Sequence, residues 1–133
     1  MKSPVIAFTA ILSNDTTLGP RAVLKYDQVL TNWGGAYEPT TGTFTAPYDG
    51  LYSLSCTLIS HPNNFVHLKM VKNGQKICML YSAPRTYPQS AQILNVILNK
   101  GDRIWMQNHN NWDSKIHDGH MFNVFSGFLI KDL

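Results

Sequence analysis

The sequence predicts an all-β domain, a sandwich or a barrel. Three observations predict it. Apolar side chains alternate with a period of two, most cleanly at Tyr52, Leu54, Cys56 and Leu58 and again at Val66, Leu68 and Met70. Turn-forming clusters separate the apolar stretches at short intervals, at Pro47-Tyr48-Asp49-Gly50, His61-Pro62-Asn63-Asn64, Asn73-Gly74 and Asn99-Lys100-Gly101-Asp102. No amphipathic helical stripe of useful length occurs between them.

In chain order, Val5 to Leu12 reads as a first strand, with Phe8, Ala10 and Leu12 on one side. It lacks a small-residue cleavage site and runs directly into Asn14-Asp15-Thr16, so it is a strand rather than the core of a signal peptide. Asn14 to Pro20 is a loop, Val23 to Leu30 a second extended segment, and Trp33-Gly34-Gly35 a bend. Trp33 to Leu58 then forms a strand–turn–strand unit through Phe44 and Pro47–Gly50. Phe65 to Lys72 alternates cleanly and meets Asn73-Gly74, whose residues both accept the positive φ of a type I′ turn, so Gln75 to Tyr81 is the returning strand. Ser82 to Ser90 is a loop, Ala91 to Leu98 and Arg103 to Gln107 are strands, His109 to His120 is a polar loop without periodicity, and Phe122 to Ile130 is the last strand. Ala91–Leu98 and Phe122–Ile130 are apolar on both faces. A sandwich normally wets one face of each sheet, so the second face needs cover, by a thick core or a neighbouring subunit.

Residues 1–133 suit one domain with a sizeable core. Hydrophobic content is 44% and charged content a low 14%, which itself suggests a surface partly covered by other subunits. The net charge of +3 comes from eleven scattered basic residues, not a stripe, which argues against nucleic acid. No run is long enough to span a membrane as a helix, and there is no collagen-like glycine repeat. The two cysteines, Cys56 and Cys78, are too few for a disulfide scaffold and lack a metal-pair spacing. Buried thiols, one intrachain bridge and an intersubunit bridge all remain open at this level.

Several short motifs, taken in order, resemble the globular head of complement C1q and its relatives. They are Val5-Ile6-Ala7-Phe8-Thr9-Ala10, then Asn32, Tyr37, Phe44 and Gly50-Leu51-Tyr52, then Lys100-Gly101-Asp102-Arg103-Ile104-Trp105, and finally Phe125-Ser126-Gly127-Phe128-Leu129-Ile130. The resemblance covers essentially the whole chain; Leu54 departs from it, where many relatives carry Phe. It implies a ten-stranded jelly roll of two five-stranded antiparallel sheets, and a homotrimer with its inner sheets on the three-fold axis. It is similar above all to the short, collagen-free members common in molluscs, several of which are lectins for sialic acid or N-acetylated hexosamines. Secretion is implied by the same resemblance. Without a collagen stalk, complement-style higher assembly and protease docking are not expected.

No catalytic constellation stands out: Ser126 has no Gly-x-Ser-x-Gly elbow around it, and no enzyme activity is expected. No cofactor is expected either. His117-Asp118-Gly119-His120 matches no familiar zinc spacing, so no metal ligand is assigned. Calcium near the trimer apex, which some relatives bind, would draw on Asp113 and Asp118. Sugars are held by planar polar groups beside an aromatic face. His109, Asn110, Asn111, Trp112 and Asp113 put all four residue types in one loop, continued by His117, Asp118 and His120. Trp112 is the platform in this reading; in the alternative it folds back on the core. A second candidate is Tyr81 to Tyr87, where Arg85 sits between Tyr81 and Tyr87 and could pair with a sialic-acid carboxylate. The functions in contention are a multivalent lectin for glycans, a receptor-binding protein ligand of the tumour-necrosis-factor sort, and a structural oligomer without a small ligand.

Overall fold

The computed structural model describes residues 3–82, 87 and 89–133. Its strands are β1 (Ala7–Ile11), β2 (Thr16–Leu18), β3 (Gln28–Trp33), β4 (Tyr37–Glu38), β5 (Thr43–Thr45), β6 (Gly50–Ile59), β7 (Val66–Lys72), β8 (Gln75–Ser82), β9 (Gln89–Leu98), β10 (Arg103–Asn108), β11 (Ser114–Ile116) and β12 (Val124–Asp132). They form two five-stranded antiparallel sheets, β3-β1-β12-β6-β9 and β4-β5-β10-β7-β8, and a two-stranded ribbon, β11-β2. This is the jelly-roll sandwich that the motifs implied, with the ribbon added at one end.

The alternating residues face inward as expected. Phe8, Ala10 and Leu12, Tyr52, Leu54, Cys56 and Leu58, and Val66, Leu68 and Met70 are all buried in one core. An aromatic stack runs through its middle. Phe8 stacks on Tyr37 and Phe44 at ring separations of 5.2 and 4.8 Å and takes Phe125 edge-on at 4.9 Å. Edge-to-face and offset contacts of this kind add to the stabilisation from burial alone.

The recurrent motif residues each have a structural task. The Asn32 side chain pairs with the Tyr37 backbone in both directions, donating to its carbonyl at 2.9 Å and accepting from its N–H at 3.1 Å. The Tyr37 hydroxyl donates to the Tyr26 carbonyl at 2.9 Å. A Cβ on Gly50 would lie 2.7 Å from the Lys131 carbonyl oxygen, so only glycine lets β6 and β12 approach there. Asn73 and Gly74 have φ of 51° and 92°, as a type I′ turn demands.

Two segments depart from the expectation. Asn14 to Pro20 is not all loop, since Thr16–Leu18 forms β2 against β11. Val23 to Leu30 is not one strand: Val23 makes a single bridge to Gln107, and regular pairing begins at Gln28. Leu24 and Tyr26 are buried instead along a crossing path, tied by the Leu24 N–H to the Met106 carbonyl and by Tyr26 to the Tyr37 hydroxyl. Burial of alternate residues looks the same in sequence whether or not a ladder accompanies it.

The outer face of the first sheet is apolar where the sequence suggested. Ile93 is 75% exposed, Ile97 56% and Phe128 49%, with Ile130, Leu30 and Trp33 also open. The register aligns Trp33, Ala7, Phe128, Ser53 and Asn95 in one row across all five strands. The next row, Thr31, Thr9, Ser126, Ser55 and Ile93, is mostly hydroxyl-bearing. Cys56, buried on β6, and Cys78, half-buried on β8 of the other sheet, are free thiols in contact with each other. Their mutual hydrogen bond, with burial, pushes the Cys56 thiol up, and the same bond holds Cys78 down.

Candidate functional site

The stretch from His109 to His120 leaves the end of β10 and is built around Asn108. This side chain is fully buried. Its amide donates to the carbonyls of Leu18, Gly19 and Trp112 at 3.2, 2.9 and 3.0 Å, and its oxygen accepts from the Asn110 N–H and the Ser114 hydroxyl. One buried amide thus fixes the loop backbone on both sides of Trp112. The indole points outward and is 55% exposed, so it does not fold back on the core. Asn111 and Asp113 flank it and are also exposed; Asn111 accepts from Arg21 Nε at 2.8 Å.

Other parts of the stretch are structural. It is not an aperiodic loop throughout: Ser114, Lys115 and Ile116 form β11, paired with Leu18, Thr17 and Thr16. Three residues of alternation are too few to read as a strand beforehand. Asn110 is buried, donating to the Phe65 carbonyl at 3.2 Å and lying 3.2 Å from His67 Nδ1. Asp118 is buried too. One of its oxygens accepts from the N–H groups of Gly119, His120 and Phe122, and the other from the N–H and amide of Asn123. Burial alone would raise the Asp118 carboxyl, and these donors hold it below the usual range. With both oxygens engaged, Asp118 is not presented to solvent for a sugar or for calcium. His120 is exposed beside Phe122.

The two stretches singled out in the sequence meet in space at two places. Tyr81, on β8, lies over His67, with ring centres 4.7 Å apart and Phe65 at 6.5 Å from Tyr81. His109 follows on, its N–H donating to the His67 carbonyl at 2.8 Å. Burial, then the nearby Lys69 and Arg21 charges, push the His109 imidazole below its ordinary value, toward the neutral form. Tyr87, by contrast, packs on His117 at 4.9 Å and near His61 at 6.3 Å. His61 Nε2 and His117 Nδ1 each lie 3.0 Å from an oxygen of Asp15. The Asp118 N–H, with the two imidazoles behind it, holds the Asp15 carboxyl low. Arg85 lies outside the described residues.

Sequence reasoning passed over Arg21, Phe65, His67, Asp15 and His61. His61 and His67 were visible as isolated histidines, but nothing in their spacing marks His61 as a neighbour of His117. The contact comes from the bridge between Ser60 and Ile116. A separate open groove of about 870 Å³ lies at the other end of β10, with Trp105, Arg103, Lys100 and Glu38 among its lining residues.

The profile of the C1q domain matches residues 7–130. The chain belongs to the C1q domain family. Among curated proteins, this C1q domain is 33% identical over 115 residues to Complement C1q tumor necrosis factor-related protein 6 of Mus musculus, covering 81% of the chain and 42% of that protein. It is 27% identical over 129 residues to Complement C1q tumor necrosis factor-related protein 3 of Homo sapiens, covering 94% and 51%. The chain therefore spans about half the length of these relatives. Among solved structures, the globular domain of the zebrafish Complement 1qA protein superposes with a TM-score of 0.81 at 17% identity, covering 96% of this chain and 99% of that one. Murine APRIL superposes at 0.74 with 13% identity, covering 95% and 99%. These likenesses show that the C1q and tumour-necrosis-factor folds are shared; they say nothing about a ligand. No helix among the described residues is long and apolar enough to cross a membrane.

Proposed function

We propose that this C1q domain is a carbohydrate-binding lectin of innate recognition. It takes N-acetylated sugars, N-acetylglucosamine, N-acetylgalactosamine or sialic acid, through the loop that carries Trp112, and it acts outside the cell as a homotrimer. The observation that carries the reading is the exposed Trp112 indole on a backbone held from beneath by Asn108. A rigid platform loses little conformational freedom on binding. Its face packs on sugar C–H groups and the acetyl methyl. Asn111 and Asp113 beside it supply donor and acceptor groups, and Arg21 brings a positive charge within reach of a sialic-acid carboxylate.

Trimerisation rests on the outer face of the β3-β1-β12-β6-β9 sheet. Ile93, Ile97, Phe128 and Ile130 lie there without cover. A neighbouring copy seated on that face would bury them. Three copies of a weak site then gain avidity on a multivalent glycan without any new contact.

A glycan array probed with the purified protein tests the reading. N-acetylated sugars should bind above neutral hexoses. A second reading, a protein ligand for a receptor, is favoured by the open groove around Trp105, whose volume of about 870 Å³ and mixed charge from Glu38, Lys100 and Arg103 suit a protein surface better than one sugar. An array blank for every glycan would favour it.

A further inference from the structure

Asp15, His61 and His117 come from three separate parts of the chain. Asp15 lies in the turn between β1 and β2, His61 just beyond the end of β6, and His117 just beyond β11. The backbone sets the two histidines side by side. The Ser60–Ile116 bridge joins their segments, the His61 N–H donates to the Lys115 carbonyl at 3.3 Å, and the His117 N–H donates to the Ile59 carbonyl at 3.1 Å. The imidazole rings stand edge to face with centres 4.8 Å apart. Asp15 is drawn over them: one oxygen lies 3.0 Å from His61 Nε2, and the other 3.0 Å from His117 Nδ1 and 2.7 Å from the Asp118 N–H. One ligand atom from each of the three residues falls within 4.8 Å of the others. Among the described residues, no other three such groups converge in this way.

We infer that Asp15, His61 and His117 form a binding site for a first-row divalent cation of the zinc class. The donor set decides the class. Imidazole nitrogen suits zinc and its neighbours, whereas calcium and magnesium take oxygen ligands. Ligands round a tetrahedral zinc, with bonds of about 2.0–2.2 Å, stand about 3.3–3.6 Å apart. One ligand atom from each residue lies within 4.8 Å of the others, and each imidazole already meets its own Asp15 oxygen at 3.0 Å, so small side-chain movements close three donors on one ion. The surroundings match a metal shell. The Asp118 N–H fixes the carboxylate from behind, as outer-shell donors do. Tyr87 and Phe122 wall the His117 ring at 4.9 and 5.6 Å and hold its plane. The three side chains remain partly open to solvent, so an ion can enter. Three protein ligands leave a fourth position for water or for an oxygen of a bound ligand. The site does not depend on the sugar reading, since it uses none of Trp112, Asn111 or Asp113.

Isothermal titration of chelator-stripped protein with zinc chloride tests the inference, with cobalt(II) as a spectroscopic probe. One zinc should bind per chain at micromolar dissociation constant or tighter and raise the melting temperature. Cobalt should show the visible bands of a tetrahedral nitrogen–oxygen site. Asp15→Asn and His61→Gln should each weaken zinc by roughly tenfold or more. His67→Gln and His109→Gln, at the other histidine pair, should bind as the parent does. Circular dichroism without metal should match the parent in all four. No saturable zinc uptake at micromolar concentration would overturn the site. So would equal affinity in Asp15→Asn and the parent, or a loss confined to His67→Gln or His109→Gln.

Discussion

The side-chain amide of Asn108 donates to the backbone carbonyl of Trp112 at 3.0 Å, and this bond joins a fully buried residue to an indole that is 55% exposed. The platform is thus positioned from the core rather than by the loop itself. The same Asn108 side chain ties down Leu18, Gly19, Asn110 and Ser114, so the mouth of the loop and the β2–β11 ribbon share one anchor.

Asn108→Ala should therefore damage both stability and binding although Asn108 touches no ligand. Removing it leaves several buried backbone groups unpaired, at a cost of about 2–3 kcal/mol. Denaturant melts should show that loss, and any glycan affinity should fall with it. A variant as stable as the parent would mean the loop is held by other contacts.

Gly127→Ala should destabilise the sandwich by about 1–3 kcal/mol. A Cβ there would meet Leu54 Cδ2 at 2.8 Å, Phe8 Cε1 at 2.9 Å and the Ser53 carbonyl oxygen at 3.1 Å. The Phe8 ring has no room to retreat, being stacked on Tyr37 and Phe44. Thermal unfolding measures it, and an unchanged midpoint would show that β6 and β12 can separate at no cost.

How much of this was legible beforehand varies with range. The inward sets of β1, β6 and β7 and the Asn73-Gly74 turn follow from alternation and local turn chemistry, which involve only near neighbours in sequence. The two-faced character of β9 and β12 was also readable, because the face in want of cover is written into the strands themselves. The roles of Asn110 and Asp118 were not. Both looked like ligand-binding groups, and only the fold shows that their polar atoms are turned onto the protein's own backbone. Asp15, His61 and His117 lie up to 102 positions apart and meet only because strands pair, which no spacing rule reveals.

Gly74→Val should destabilise the β7–β8 hairpin by about 1 kcal/mol or more, because a β-branched residue resists the φ of 92°. Asn73→Gly tests a different bond. The Asn73 amide donates to Asp102 at 2.9 Å, and its oxygen accepts from the Arg103 N–H at 2.8 Å. That amide first, then the Asn99 N–H and Lys72, hold the Asp102 carboxyl below its ordinary value. A lowered folded value means stabilisation that is complete above the unfolded value of about 3.9 and lost as pH falls through the folded one. The stability gap between the parent and Asn73→Gly should therefore be widest at neutral pH and shrink below about pH 4. Urea melts across that range measure it; a gap independent of pH would remove Asp102 from the account.

Phe128→Asp or Ile93→Asp should break up the assembly, since a charge buried without a partner costs several kcal/mol, of the order of 3–5. Sedimentation velocity at micromolar concentration should show the parent as a trimer and the variants as monomers with an intact fold by circular dichroism. A monomeric parent would remove the reason for the apolar sheet face.

The most direct test of the lectin reading is glycan binding by Trp112→Ala measured beside the parent. Losing the platform removes packing worth on the order of 1–3 kcal/mol. Affinity for N-acetylated sugars should fall by about five- to 150-fold, which is that energy converted, while sedimentation and melting temperature stay close to the parent's. Binding equal to the parent's would contradict the account and move the site to Tyr81, His67 and His109.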